Sequence, residues 1–248
     1  MIKILIAVPS HKRAYSINKS ILFWLRDFGY DYKFFLDKSE ALHYSTVLRK
    51  DEIVLVKDKS YLCGKLNSVG LYAKKHGYNV VLKLDDEMHF KKIGSKKGDV
   101  KETVLSVIKD VIKEFESDKD LGLVNVVKFN AYLRNKEGPK FRIRKKEIFG
   151  NYFVVPDLLL RLKQEWKIFD DLLISVNAKL NNYVIKCYYG AYECALTHTN
   201  KGGIQSFDRD LLSKNAYEEI KKDFPLVNLT HDKRHNKLDL DVSSYFGG

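Results

Sequence analysis

From Ile2 to Val8 the chain is apolar at every position but Lys3, and the run stops at Pro9-Ser10-His11-Lys12-Arg13. A short apolar run bounded by turn residues reads as a strand covered on both faces. Apolar residues then recur at helical spacing over about 17–28, and Gly29 follows where a helix C-cap is wanted. Strands are expected at 32–36, ending at Asp37, and at 53–56. A helix over about 66–75 closes at His76-Gly77, and the next apolar run, from Val80, ends at Asp85-Asp86-Glu87. Strands alternating with helices at this spacing predict βαβ units and an α/β fold with a mixed, mostly parallel sheet flanked by helices.

The second half changes character. The pattern predicts a helix over 100–115, a strand over 122–127, and antiparallel strands through 128–155 around a Gly138-Pro139 turn and Gly150. Helices at 157–163 and 169–180, a strand at 183–189 and a last helix at 208–222 follow. No repeat, low-complexity tract or linker divides the chain, so one unit is expected over 1–248, with halves at 1–120 and 121–248 and a basic C-terminal tail. No G-x-G-x-x-G follows the first strand and no G-x-x-x-x-G-K-[ST] occurs, which argues against a dinucleotide fold and a P-loop.

Composition sharpens this. The 248 residues are 45% hydrophobic, enough for a substantial core. No apolar run approaches the roughly 20 residues that span a bilayer, and no signal-peptide pattern opens the chain. Cys63, Cys187 and Cys194 are scattered, without disulfide or metal spacing, so a reducing, cytoplasmic setting is expected. The net charge is +12, from 44 Lys and Arg against 32 Asp and Glu. That favours polyanionic partners. The excess gathers at Lys91, Lys92, Lys96, Lys97 and Lys101; at Lys136, Lys140, Arg142, Arg144, Lys145 and Lys146, read as a basic hairpin; and near the end, at Lys221, Lys222, Lys233, Arg234 and Lys237 with His231 and His235.

The chemistry centres on Asp85-Asp86-Glu87. In open α/β sheets ligands bind outside the carboxyl ends of the strands. Adjacent carboxylates repel unless a cation neutralises them. Strand alternation would send Asp85 and Glu87 to one side, where they share a divalent ion, and Asp86 to the other. A solvated turn after a buried strand is the alternative.

Four motifs in order resemble nucleotide-sugar-dependent glycosyltransferases of the GT-A fold, a Rossmann-like architecture. Asp85-Asp86-Glu87 resembles the DxD metal motif, with Glu87 as its final acid. Glu147-Ile148-Phe149-Gly150-Asn151 resembles the glycine loop beside the donor sugar. Ile168-Phe169-Asp170-Asp171 resembles the xED motif, and Thr197-His198-Thr199 the C-terminal metal histidine. The resemblance implies a nucleotide-sugar donor, here a UDP-sugar, and Mn²⁺ or Mg²⁺ held by Asp85, Glu87 and His198. It implies Asp171 as base, with Asp170 as its rival, and inversion at the anomeric carbon. Without the motif order, Asp170 and Asp171 are also ordinary first-turn helix acids, and His198 an ordinary histidine. Pro9 and Ser10 resemble the family's nucleoside-holding loop, with Lys12 or Arg13 near the diphosphate and Asp37 near the base. Lys65 and Asn67 resemble an Arg-Asn segment, although Lys lacks the Arg fork and Asn67 also suits a helix cap. Thus 1–120 would bind the nucleotide-sugar and 121–248 the acceptor.

The segment Lys201-Gly202-Gly203-Ile204-Gln205-Ser206-Phe207, then Arg209, with the Pro-Ser-His-Lys-Arg opening, resembles the TET-associated glycosyltransferases of phages. That implies transfer to a 5-hydroxymethylpyrimidine, 5-hydroxymethylcytosine first, in DNA. Duplex phosphates attract Lys and Arg, so Lys140, Arg142, Arg144, Lys145, Lys146, Arg209, Lys233 and Arg234 are the candidate DNA contacts. Phe141, Phe149, Tyr152 and Phe153 would stack or wedge there, or serve the core. Two other classes stay open: a glycosyltransferase for surface polysaccharide or a lipid-linked acceptor, and a noncatalytic DNA-binding protein.

Overall fold

The computed structural model describes residues 2–17, 21–94, 100–135, 137–195, 208–232 and 237–247. A nine-stranded mixed sheet runs in the order β3-β2-β1-β4-β8-β6-β9-β5, with β7 also paired to β9. Its strands are β1 (Ile4–Pro9), β2 (Asp31–Asp37), β3 (Ile53–Val56), β4 (Val80–Lys83), β5 (Met88–Lys91), β6 (Leu121–Lys128), β7 (Phe141–Ile143), β8 (Tyr152–Val154) and β9 (Val184–Ala195). Strands β3, β2, β1 and β4 are parallel neighbours, as are β6 and β9, whereas β8 runs antiparallel to both β4 and β6. This is the Rossmann-like α/β fold that the strand–helix alternation predicts.

The sequence places this sheet by alternation. All six residues of β1 are buried, with Leu5 and Ala7 facing one core and Ile4, Ile6 and Val8 the other. The helices are α1 (Ala14–Ile17), α2 (Phe23–Leu25), α3 (Ala41–Tyr44), α4 (Tyr61–Lys75), α5 (Val100–Ser117), α6 (Phe129–Arg134), α7 (Pro156–Leu159), α8 (Asp170–Leu180) and α9 (Arg209–Asp223). Apolar residues of α4, α7, α8 and α9 fill the first core, and those of α2 and α5 the second. In α5 the buried residues Val100, Val104, Val107, Ile108, Val111 and Phe115 follow the three-to-four spacing of an amphipathic helix.

Several expectations are corrected. Among the described residues no hairpin forms about Gly138-Pro139: residues 129–134 are helical, and β7 pairs with β9 instead. Phe129 and Tyr132 stand three apart, a helical spacing, and both pack on Tyr192. The helix expected over 157–163 lasts only through α7. The basic tail carries two paired strands, β10 (Asn228–Asp232) and β11 (Lys237–Asp241), whose Leu229 and Leu240 sit opposite each other and join the first core. Strand β5, unforeseen, follows directly on the acidic turn.

Glu52 pins the β2–β3 edge. It is almost fully buried, and its carboxylate accepts two hydrogen bonds from Arg26, at 2.8 and 2.9 Å, and one from the Tyr32 hydroxyl at 2.5 Å. The Arg49 backbone N–H adds a fourth at 2.7 Å. Burial alone would raise its pKa, but the Arg26 and Tyr32 bonds overcome this and hold it at about 2. A carboxylate depressed from its unfolded value stabilises the fold above pH ~4.5 and loses that contribution as pH falls through its folded pKa. Glu52→Gln is therefore expected to lower the stability at pH 7 by about 3 kcal/mol and to flatten its decline between pH 4.5 and 2. Denaturant unfolding at several pH values checks this; an unchanged decline would clear Glu52 of the role.

Candidate active site

Strands β1, β2 and β3 step outward in one direction, and β4 returns to the far side of β1. The crevice between the carboxyl ends of β1 and β4 is thus the switch point at which open α/β sheets bind ligands. A cavity of about 900 Å³ lies there. Its wall carries Pro9 at the end of β1 with Ser10, Lys12 and Arg13 after it, Asp37 at the end of β2, Lys65 from α4, and Asp85, Asp86 and Glu87 after β4. Three non-glycine residues in the left-handed region, Lys12 (φ 54), Lys59 (φ 58) and Tyr61 (φ 49), also border it. Backbone strain of this kind collects at functional sites.

Asp86 anchors the floor. It is nearly fully buried, accepts a hydrogen bond from Ser10 Oγ, and meets Arg13 Nη1 at 2.5 Å. The Tyr44 hydroxyl joins Ser10 Oγ at 2.6 Å and accepts the Arg13 backbone N–H at 3.0 Å. Burial pushes the Asp86 carboxyl above its ordinary range, against the pull of Arg13. Buried Lys65 donates to the Ser10 carbonyl at 2.6 Å and stands 3.1 Å from Asp37 Oδ2.

The acidic motif does not alternate as expected. Strand β4 ends at Lys83, and a turn, closed by the Met88 N–H on the Asp85 carbonyl at 3.0 Å, carries the acids. Asp86 and Glu87 both face Arg13, at 2.5 and 3.5 Å. Asp85, 37% exposed in its side chain, meets Lys83 at 2.8 Å. Asp85 and Glu87 offer hard oxygen donors on the cavity wall, which suits Mg²⁺ or Mn²⁺. His198 lies outside the described residues. Among those residues, the set of three ligating atoms lying within 4.8 Å of one another is a different one, His11, Asp37 and Glu40. Its carboxylates already have partners in the chain: His11 Nδ1 is 2.6 Å from Glu40 and 3.4 Å from Asp37, Lys65 is 3.1 Å from Asp37, and the hydrogen bonds to Asp37 and Glu40 raise the pKa of His11.

Behind Asp85 a second polar group forms. Lys83, buried, reaches Asp85, the Gly150 carbonyl at 3.4 Å and Asp170 at 3.8 Å. Asp170 accepts from the Tyr152 hydroxyl at 2.8 Å. Asp171, beside it in the first turn of α8, is partly exposed and takes the N–H groups of Leu172 and Gly150. Desolvation, and then the neighbouring charge of Asp170, push the Asp171 carboxyl up to about 7, against Lys83. The residue before the pair, Phe169, is itself left-handed (φ 70). Asp170 and Asp171 do not line the 900 Å³ cavity; Asp85 stands between the two groups.

Other expected residues fall elsewhere. Asn67 is not on the wall, because its amide donates to the carbonyls of Leu160 and Leu162, each at 2.9 Å. Lys140 pairs with Asp110 at 2.9 Å, and Arg142 lies over the Tyr189 ring. Arg144 donates to the Glu147 carbonyl at 3.1 Å, while Lys145 and Lys146 are exposed. Of these basic residues only Arg142 lies in a strand, since β7 spans only Phe141–Ile143. Tyr152 and Phe153 are core residues; Phe149 is exposed. Arg209 opens α9, and Lys233 and Arg234 lie outside the described residues. Lys83, which joins Asp85 to Asp170, and Glu193, whose carboxylate holds Asn151 beside Asp85, were not foreseen: one sits inside an apolar run, the other inside a strand, where a single polar residue gives no periodic signal.

No family model matches the chain, and no curated protein matches it. Among solved structures, an apo UDP-glucose pyrophosphorylase is 10% identical over 90% of this chain and 100% of its own, with a TM-score of 0.48. A197 from STIV is 12% identical over 79% of this chain and 86% of its own, with a TM-score of 0.45. A glycosyltransferase involved in the glycosylation of the major capsid of PBCV-1 is 12% identical over 87% of this chain and 98% of its own, at 0.44. Likeness at this level carries no argument about the site. No helix among the described residues is long and apolar enough to cross a membrane.

Removing one partner of a buried ion pair strands the other charge. Arg13→Ala is therefore expected to cost about 3–5 kcal/mol of stability, part of it recovered in the double variant with Asp86→Asn. Urea unfolding of the two single variants and the double measures the coupling; additive losses would mean that the pair does not hold the floor.

Proposed function

We propose that this chain is a glycosyltransferase of the GT-A type, acting as one unit and taking a sugar from a nucleotide-sugar donor, a UDP-sugar first. The observation that supports it most is the switch-point cavity, where the cations Lys12, Arg13 and Lys65 and the acids Asp85 and Glu87 share one wall, with Asp171 across Asp85. Lys12 and Arg13 neutralise the donor diphosphate, Pro9 and Ser10 hold the nucleoside, and Asp37 orients the base. Gly150 borders the sugar. Asp85 and Glu87, with His198, hold Mn²⁺ or Mg²⁺, which when bound offsets the charge developing on the leaving diphosphate. Asp171, its pKa near neutrality, accepts the proton of the acceptor hydroxyl as that oxygen attacks the anomeric carbon and the nucleoside diphosphate departs. A single displacement of this kind inverts the anomeric centre. The acceptor in this reading is 5-hydroxymethylcytosine in phage DNA, within the host cytoplasm. The charge of +12 and the exposed Arg142, Lys145 and Lys146 support it; Arg144, Lys140, Arg209, Lys233 and Arg234 complete the phosphate contacts.

Asp171→Asn is expected to keep donor affinity by calorimetry and to lose about 10²–10⁴-fold in turnover. Because the base must be ionised, wild-type turnover should rise with pH through about 7, a limb the variant lacks. Near-normal turnover with intact affinity would move the role to Asp170. Excess EDTA should abolish transfer and Mn²⁺ restore it; full activity in EDTA would remove the metal from the reading.

Incubation with nucleotide-sugars and hydroxymethylated DNA, followed by mass analysis of digested nucleosides, tests the acceptor. DNA binding should weaken with salt, and Arg142→Glu with Arg144→Glu should reduce the log–log slope by about 0.9 per lost phosphate contact, raising KM for DNA while sparing donor hydrolysis. Transfer to a glycan but never to DNA would assign the polysaccharide acceptor instead.

A further inference from the structure

Glu193 sits in β9, opposite Phe90 of β5, and is only 6% exposed. Its Oε2 accepts two hydrogen bonds from one residue: the Asn151 backbone N–H at 3.1 Å and the Asn151 side-chain amide at 2.7 Å. The other end of that amide, Asn151 Oδ1, accepts the Asp85 backbone N–H at 2.7 Å. One step back along the chain, the Gly150 N–H serves Asp171. A buried hydrogen-bonded chain thus runs from β9, through the loop before β8, to the turn after β4.

The loop is held by side chains from two strands. Gly150 is left-handed (φ 88), and a Cβ built on it would stand 2.3 Å from Glu193 Oε1, so the carboxylate fills the space that the missing side chain leaves. The Asn125 amide holds the carbonyls of Phe149 and Asn151, at 2.8 and 2.9 Å. Glu193 Oε1 itself has no hydrogen-bond partner among the described residues. Burial, with the nearby charge of Asp85 adding, pushes this carboxyl up to about 7. A buried acid with one oxygen unmet costs stability, and an apolar residue would spare that cost.

We propose that Glu193 is a positioning residue of the transfer site: by holding Asn151 it fixes Asp85 on the donor side and the Gly150 N–H against which Asp171 rests. What the two acids then do rests on the glycosyltransferase reading; that Glu193 holds them does not. Glutamine at 193 keeps an accepting oxygen for both Asn151 N–H groups, whereas alanine removes it and aspartate withdraws it by one methylene.

The experiment pairs amide hydrogen exchange with kinetics on Glu193→Ala, Glu193→Asp and Glu193→Gln. In the alanine variant the Asp85 and Gly150 amides should exchange at least about tenfold faster, and turnover at saturating donor should fall about 10–100-fold, the usual cost of removing a group that orients a site ligand. Glutamine should restore both, a rescue that a general loss of packing would not give. If the alanine variant fails to fold, the aspartate variant is expected to show the same two effects. Unchanged exchange at Asp85, with or without a loss of turnover, would overturn the proposal, as would full turnover in the alanine and aspartate variants. If wild type turns over no nucleotide-sugar, the glycosyltransferase reading falls, and the exchange rates alone decide whether Glu193 holds these groups.

Discussion

Lys83 is a buried cation at the last position of β4, and a buried charge must be met by oxygen or it destabilises the fold by several kcal/mol. Meeting it takes Asp85 from the turn ahead, Asp170 from the start of α8 and the Gly150 carbonyl from the loop before β8; the Tyr152 ring lies beside its ammonium. Three segments far apart in the chain are thereby brought to one ammonium group. The acidic turn, the glycine loop and the acid pair on α8 share a site because none can leave without stranding that charge. Much of the remaining polar order follows, since Tyr152 then donates to Asp170 and the Gly150 N–H faces Asp171.

A second buried pair works on the other side of the same turn. Arg13 binds Asp86, and with Lys83 on Asp85 the neighbouring acids are drawn in opposite directions. Repulsion between adjacent carboxylates is thus answered by two cations, Arg13 from the loop after β1 and Lys83 from the end of β4. The turn becomes a partition between a wide cavity over β1 and β2 and a tighter polar group over β8 and α8. A donor and an acceptor binding on either side would meet at Asp85.

The first half of the fold was legible because its strands are short apolar runs set between turn residues. The apolar runs of β1, β2 and β3 have no competing periodicity, and the placement of Ser10, Arg13, Asp37 and Asp85 at strand ends follows from them. The second half was harder for identifiable reasons. In 129–134 the spacing of Phe129 and Tyr132 is helical, but so short a run was outweighed by the turn signal at Gly138-Pro139. The short strand β5 is held by β9, a partner distant in sequence that local pattern cannot announce. Lys83 and Glu193 are lone charged residues whose meaning depends on what crosses them in space. The alternation assumed for 85–87 failed because extended geometry stops at Lys83, a boundary set by the cation's own partners.

The length of β9 has a kinetic side. Over Val184–Ala195 this one strand pairs with β5, β6 and β7. Met88 therefore waits for Ala195, and the β5 edge stays open until most of the chain has been made. Long-range pairings of this sort slow folding and leave intermediates with unpaired edges, whereas β3-β2-β1-β4 can assemble from the first third of the chain. During synthesis the first four strands would stand formed while their neighbours are still an open edge, which makes β9 the strand whose late arrival divides native folding from aggregation.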